Sequence, residues 1–365
     1  MRYNINGDCM KKIVAIIICL ILSISIFVVY TKNIKEPTLD QKLINLGYSE
    51  SDVKIINNLK NPKIILQYDY NENIIKLIQT DNFQEENLNK YIEFSSLYEF
   101  NLNDIVYIVN NNYYDQTLEY TNKVVSLIKQ EYFIYDNLDR YLNYSDTSTI
   151  DFIDIDSESN YIIKMVNSKR DYDYYTNIEN TDLTKGYLIL VNKYNKLDSN
   201  YIPENLVTID SKYGIESKLE STVYEAYLKM WEDASKEGLY LYIRSPYRSY
   251  TTQNGLYERY AAQDGYKEAD TYSARPGYSE HQTGLAFDVT TKSTTLGTFE
   301  ATKEFKWMKE NAYKYGFILR YPKGKENITG YVYEAWHYRY VGKEAAKIIY
   351  ENDLTFEEYY EYYVK

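Results

Sequence analysis

A chain of 365 residues, 44% of them hydrophobic, is long enough for an anchor and two domains with cores of their own, and too apolar to be disordered throughout. Its formal net charge of -12 argues against nucleic acid or an acidic lipid surface as a general partner, because both reward a basic surface. Its only two cysteines, Cys9 and Cys19, lie at or before the end of the first apolar run, which excludes an intramolecular disulfide, a cysteine nucleophile or a thiolate metal site downstream.

Residues 13–30 form an uncharged apolar run, preceded by Lys11 and Lys12 and followed by Thr31 and Lys32, long enough to span a bilayer. Its end is bulky, at Phe27, Val28, Val29 and Tyr30, where a cleaved signal peptide would need small residues. The run therefore reads as an uncleaved signal anchor. Arg2, Lys11 and Lys12 would keep residues 1–12 in the cytoplasm and place everything beyond residue 32 outside a single-pass cell membrane protein.

Glycine use then changes along the chain: only Gly7 and Gly47 precede residue 186, and the other glycines and all three tryptophans lie at or beyond it. This predicts a boundary near residue 180. Residues 38–180 carry Leu, Ile, Asn and Tyr at helical spacing with few breakers, which predicts short amphipathic helices. The pattern Ile74, Ile75, Leu77, Ile78, Phe83, Asn87, Leu88, Tyr91 and Ile92 recurs as Val124, Val125, Leu127, Ile128, Phe133, Asn137, Leu138, Tyr141 and Leu142. The stretch from Asp104 to Asn110 is echoed between Asn160 and Asn167. Such repetition points to stacked helical units, serving as a spacer, as a module that meets the wall or a protein partner, or as an extension of the next domain.

From residue 186 onward, strands and helices are interspersed without regular βαβ alternation, so the fold class is α+β. Strands are predicted at 238–244, 285–290, 317–321 and 330–341, and helices at 252–262 and 302–315, the last closed by Gly316. The two histidines of the chain, His281 and His337, stand in His281-Gln-Thr-Gly-Leu-Ala-Phe-Asp288 and Glu334-Ala-Trp-His337. A lone histidine is ordinarily a core or surface residue. Two imidazoles and a carboxylate, however, suffice for a catalytic zinc that keeps a fourth position open, and a further carboxylate can take a proton from water there. His281 and Asp288 are seven apart and would face opposite sides of a regular strand, so an irregularity is required between them, most naturally at Gly284. Glu334 and His337 demand a bend for the same reason.

Ser279-Glu-His-Gln-Thr-Gly-Leu-Ala-Phe-Asp288 resembles the S-x-H-x-x-G-x-A-x-D motif of the VanY-type D-alanyl-D-alanine carboxypeptidases, zinc peptidases with a fold like that of Hedgehog domains, and Glu334-Ala-Trp-His337 resembles its companion E-x-W-H. The similarity extends through Ser245-Pro-Tyr-Arg248, Arg275-Pro-Gly and Tyr338-Arg-Tyr-Val-Gly342, over roughly residues 186–350. Ala335 replaces a frequent proline. The resemblance implies zinc ligation by His281, Asp288 and His337, with Glu334 as general base and then general acid. It implies that Arg248 brings positive charge to the substrate, either clasping a terminal carboxylate or stabilising an oxyanion. Gln253 and Ser279 are candidates for hydrogen bonds to the substrate. Trp336 is expected to pack beneath the site, and Arg244 to be the polar end of a strand. The implied substrate is the peptidoglycan stem peptide.

A serine D,D-peptidase would need S-D-N and K-T-G motifs beside S-x-x-K, and these are absent. A non-catalytic zinc module that binds the wall would have no need of Glu334. Within the enzyme reading, D,D-carboxypeptidase action stands first, with L,D-carboxypeptidase, dipeptidase or endopeptidase action as alternatives on the same scaffold.

Overall fold

The computed structural model describes residues 7–33, 36–114, 116–147 and 154–365, leaving aside the side chains of 7–9, 26–33 and 147. It divides into two compact units, Met1–Thr121 and Asn122–Lys365, and the composition shift near residue 180 lies inside the second.

The first unit is helical: α1 (Gly7–Asn33), α2 (Leu39–Leu46), α3 (Glu50–Ile56), α4 (Glu72–Ile78), α5 (Leu88–Leu97) and α6 (Leu102–Asn110). Thr38 and Ser49 start α2 and α3 with reciprocal capping boxes, and α2 stops at Gly47 with φ 116°. Apolar residues three and four apart then meet in one core of Leu43, Val53, Ile56, Ile74 and Leu88. Among the described residues no helix is long and apolar enough to cross a membrane. The expected anchor at 13–30 falls within α1, but the side chains of its last five residues, 26–30, lie outside the described ones.

Helix α7 (Leu118–Lys129) spans the division, and α8 (Leu138–Thr147) and α9 (Ile155–Asn167) follow. The sequence repeat has a structural counterpart. In the first copy the Tyr91 hydroxyl accepts from the Gln84 N–H and bonds Asn110 Oδ1, while Asn110 Nδ2 donates to the Asn82 carbonyl. In the second, Tyr141 accepts from Ile134 N–H and donates to Asn167 Oδ1 at 2.6 Å, and Asn167 Nδ2 donates to the Tyr132 carbonyl. Asn82 and Tyr132 both take left-handed φ, 62° and 68°. Within the second unit Tyr132 stacks on Tyr362, ring centroids 3.6 Å apart.

The remainder mixes helix and sheet. Two short ladders, β1 (Glu179–Asn180) with β2 (Asn195–Lys196) and β3 (Leu206–Thr208) with β4 (Lys218–Glu220), precede α10 (Ser221–Lys236). The main sheet is antiparallel throughout, ordered β5 (Tyr242–Ser245), β6 (Ala286–Thr290), β8 (His337–Tyr340), β7 (Phe317–Leu319). Between β5 and β6 lie α11 (Tyr250–Asp264) and α12 (Tyr266–Tyr272). Helix α13 (Lys303–Asn311) precedes β7, α14 (Glu326–Thr329) follows it, and α15 (Lys343–Glu351) and α16 (Phe356–Tyr363) close the chain. Strand alternation sorts the sheet's faces: Ile243, Phe287, Val289, Tyr338 and Tyr340 enter a core with Val223, Tyr227 and Met230 of α10, which leaves Asp288 and His337 on the other face.

Five elements are shorter than the pattern predicts: β6 starts one residue late, β7 stops at Leu319, and three others differ more. The 238–244 strand begins only at Tyr242, because Gly238 turns with φ 77°. The 302–315 helix tightens to 3₁₀ geometry over Ala312–Tyr315 before stopping at left-handed Gly316. The 330–341 strand survives only at His337–Tyr340: Gly330, φ 78°, ends α14, and the next segment pairs elsewhere, Val332 N–H with the Thr271 carbonyl and Glu334 N–H with that of Tyr321.

Candidate metal centre

Sheet register builds the site. Ser245 pairs with Asp288 after a bulge in β5, and Asp288 pairs with His337, so three strands present one row of polar side chains on one face. His281 arrives from a 3₁₀ turn, Glu280–Thr283, that ends at Gly284 with φ 68°, and this supplies the irregularity demanded by the seven-residue spacing. A Cβ on Gly284 would sit 3.0 Å from Leu206 Cδ2, so both its dihedral and its packing favour glycine. Glu334 precedes the turn into β8 and comes back beside His337.

His281, Asp288 and His337 each offer one ligand atom, all within 4.8 Å of one another, and all three residues are buried. Asp288 Oδ1 lies 3.6 Å from His281 Nε2 and 3.2 Å from His337 Nδ1. A tetrahedral zinc with bonds of about 2.0–2.2 Å would separate its ligand atoms by roughly 3.3–3.6 Å, so the spacing fits. Asp288 Oδ1 has no hydrogen-bond partner despite being buried, as expected of a ligand atom rather than a structural one. His281 Nδ1 sits 2.9 Å from the Pro246 carbonyl, which turns Nε2 toward Asp288.

The charges are set by burial and by each other. Burial alone would raise the Asp288 carboxyl, but His281 and His337 hold it well below the usual carboxylate range. Burial, then Arg248, lowers the His281 imidazole and favours its neutral form. Burial also opposes a charge on His337, yet Asp288 and Glu280 push it up to about 9. Glu334, with Oε2 3.5 Å from His337 Nδ1, is pushed up by burial to about 8, against the pull of His337.

These residues line one cavity of about 460 Å³ together with Arg248, Gln253, Ser279 and Trp336. The Arg248 guanidinium is fixed by Gln253 Oε1 at 2.5 Å and Ser245 Oγ at 2.6 Å. Gln253 Nε2 donates to the Ala274 carbonyl, so both ends of this buried amide are engaged by protein. Ser279 begins the His281 turn, and its side chain makes no cap hydrogen bond. Trp336 packs against the core and also lines the cavity. Arg244 ties β5 to the loop after β6 through Thr290 Oγ1 and two carbonyls. Sequence reasoning missed Glu280, whose Oε2 stands 3.5 Å from His337 Nε2, and Tyr321, whose ring lies 4.9 Å from that imidazole. The position of Glu280 beside a ligand was its only signal.

Residues 216–343 match the family described as VanY, D-alanyl-D-alanine carboxypeptidase. A putative carboxypeptidase, YodJ, of Bacillus subtilis (strain 168) is 45% identical over 192 residues, covering 50% of this chain and 70% of its own. The structure of the LdcB LD-carboxypeptidase is 44% identical over 51% of this chain and 91% of its own, with a TM-score of 0.48. A mutant of the vancomycin-resistance D,D-pentapeptidase VanY, in complex with Zn(II), is 34% identical over 47% of this chain and 98% of its own, with a TM-score of 0.42.

Proposed function

The chain belongs to the VanY family of D-alanyl-D-alanine carboxypeptidases, and from that premise we propose that it hydrolyses the C-terminal peptide bond of peptidoglycan stem peptides with the help of zinc. The observation that carries this reading is the buried convergence of His281 Nε2, Asp288 Oδ1 and His337 Nδ1, with the Glu334 carboxyl beside them. Zinc held by these three side chains would supply Lewis acidity toward the scissile carbonyl and lower the pKa of water toward neutrality. Glu334 takes the proton from the attacking water and returns it to the nitrogen of the departing D-alanine, so the C–N bond breaks with hydroxyl on one product and hydrogen on the other. Its raised pKa, about 8, makes its carboxylate a stronger base than an exposed glutamate. Arg248, held by Ser245 and Gln253 at the cavity wall, meets the terminal carboxylate or the developing oxyanion.

Incubating the full chain with purified stem pentapeptides and tetrapeptides, followed by mass spectrometry, tests the reading. Loss of one D-alanine from the pentapeptide is expected. Cleavage of the tetrapeptide alone would make the enzyme an L,D-carboxypeptidase, and release from neither would sink the peptidase reading.

The same reading tethers the catalytic unit outside the cytoplasmic membrane through residues 13–30. Its support is that Ile13, Ile16, Ile17, Leu20, Ile21 and Ile24 are all exposed around α1, an apolar surface that water disfavours. Residues 38–180 would then set the distance between membrane and wall. Protease shaving of intact cells should remove the catalytic unit, and release of the protein by a salt wash would refute the anchor.

A further inference from the structure

Glu280 is fully buried, and its Oε1 accepts two charged hydrogen bonds, from Arg320 Nε and Arg339 Nη1, each 2.8 Å. Arg320 spends its remaining donors on both oxygens of Glu357 in α16, at 2.9 and 2.6 Å. Arg339 gives its others to the carbonyls of Tyr187, Ile189 and Tyr340. The carboxylate is thus locked in place by two arginines that do not themselves line the cavity. Its second oxygen, Oε2, has no hydrogen-bond partner, and neither has the His337 Nε2 that stands 3.5 Å away. On its opposite side the same imidazole turns Nδ1 to Asp288.

We infer that Glu280 is the positioning residue of the metal site: its fixed carboxylate holds the N–H of His337 at Nε2 and so aims the Nδ1 lone pair at the metal. The inference rests on the zinc-peptidase reading. A ligating histidine gains orientation and basicity when its other nitrogen faces an anion. His281 obtains the same service from a backbone carbonyl, through the opposite nitrogen. The two imidazoles therefore carry their protons on different atoms.

The chain has two histidines, so histidine-selective ¹⁵N labelling of the full chain yields only two imidazole spin systems. In the zinc-loaded wild type, one ring should carry Nδ1–H and the other an Nε2–H shifted downfield and protected from solvent exchange. Glu280→Gln should weaken zinc binding, measured by chelator competition, about 10–100-fold. Glu357→Gln removes a charge from the same network without facing His337, and should stay within about threefold of wild type even if the fold loses stability. Unchanged affinity in Glu280→Gln, equal loss in both variants, or a freely exchanging Nε2–H would overturn the inference while leaving the peptidase reading intact. If Glu280→Gln fails to fold, the wild-type spectrum decides. A wild type that binds no zinc would overturn the peptidase reading, and this inference with it.

Discussion

Arg320, Arg339, Glu280 and Glu357 lie as deep in the second unit as His281, Asp288, Glu334 and His337, and the two sets meet between Glu280 and His337. Each guanidinium in the first set has its charge opposed and its donors engaged, by Glu280 and Glu357 or by backbone carbonyls. The second set instead brings His281 Nε2 and His337 Nδ1 to 3.6 and 3.2 Å from Asp288 Oδ1, an oxygen with no hydrogen-bond partner. Burying polar atoms is costly unless they are paired, so the first set, open only where Glu280 Oε2 faces His337, reads as architecture, and the second as a donor set suited to a cation.

Removing a ligand from the second set should have the largest effect. His281→Ala and His337→Ala are expected to purify without zinc and to release no D-alanine from stem pentapeptide, measured by metal analysis beside the peptide assay. Full zinc occupancy in both would dissolve the contrast. Next comes Glu334→Gln, which keeps shape and loses basicity: zinc should stay bound while single-turnover cleavage falls about 10²–10⁴-fold. Loss of zinc in that variant would make Glu334 a ligand.

Removing an arginine from the first set should show foremost as lost stability. Arg320→Ala leaves Glu357 and one side of Glu280 without their countercharge, at a cost of about 3–5 kcal/mol in denaturant unfolding. A cost near zero would mean that water reaches the network.

The smallest effect is a pH slope. In the metal-free protein, against the opposing effect of burial, Asp288 and Glu280 raise the pKa of His337 above its ordinary 6.5 to about 9, so at neutral pH the ring is protonated and must lose a proton to ligate. Zinc affinity should therefore rise about tenfold per pH unit through neutrality and level off near pH 9. Calorimetry in buffers of different ionisation enthalpy would register the released proton, and a flat profile would contradict the charged histidine.

The repeat offers a second contrast, between pattern and placement. Tyr91 and Tyr141 occupy matching positions in the sequence, and each bonds an asparagine at the end of a later helix, Asn110 or Asn167. The recurrence was legible because helical faces repeat their apolar spacing. The bonds were not, since the partners lie 19 and 26 residues away. Likewise the helices at 252–262 and 302–315 were visible from their helical pattern, the second also from its closing glycine, whereas Tyr331 and Val332 resembled a strand and became a loop, because their backbone finds partners outside the sheet.

What the sequence determined alone is the chemistry available: two imidazoles, carboxylates at motif spacing, no downstream thiol, and a glycine where His281 must turn away from the strand. These are properties of residue type and local backbone, and they survive without knowledge of the fold. Tertiary structure decided which nitrogen of each histidine faces Asp288, that Gln253 holds Arg248, and that Glu280 stands behind His337. Each of these depends on strand register and on side chains from distant segments, Arg320, Arg339 and Glu357 among them, whose meeting is fixed by packing and leaves no local trace in the chain.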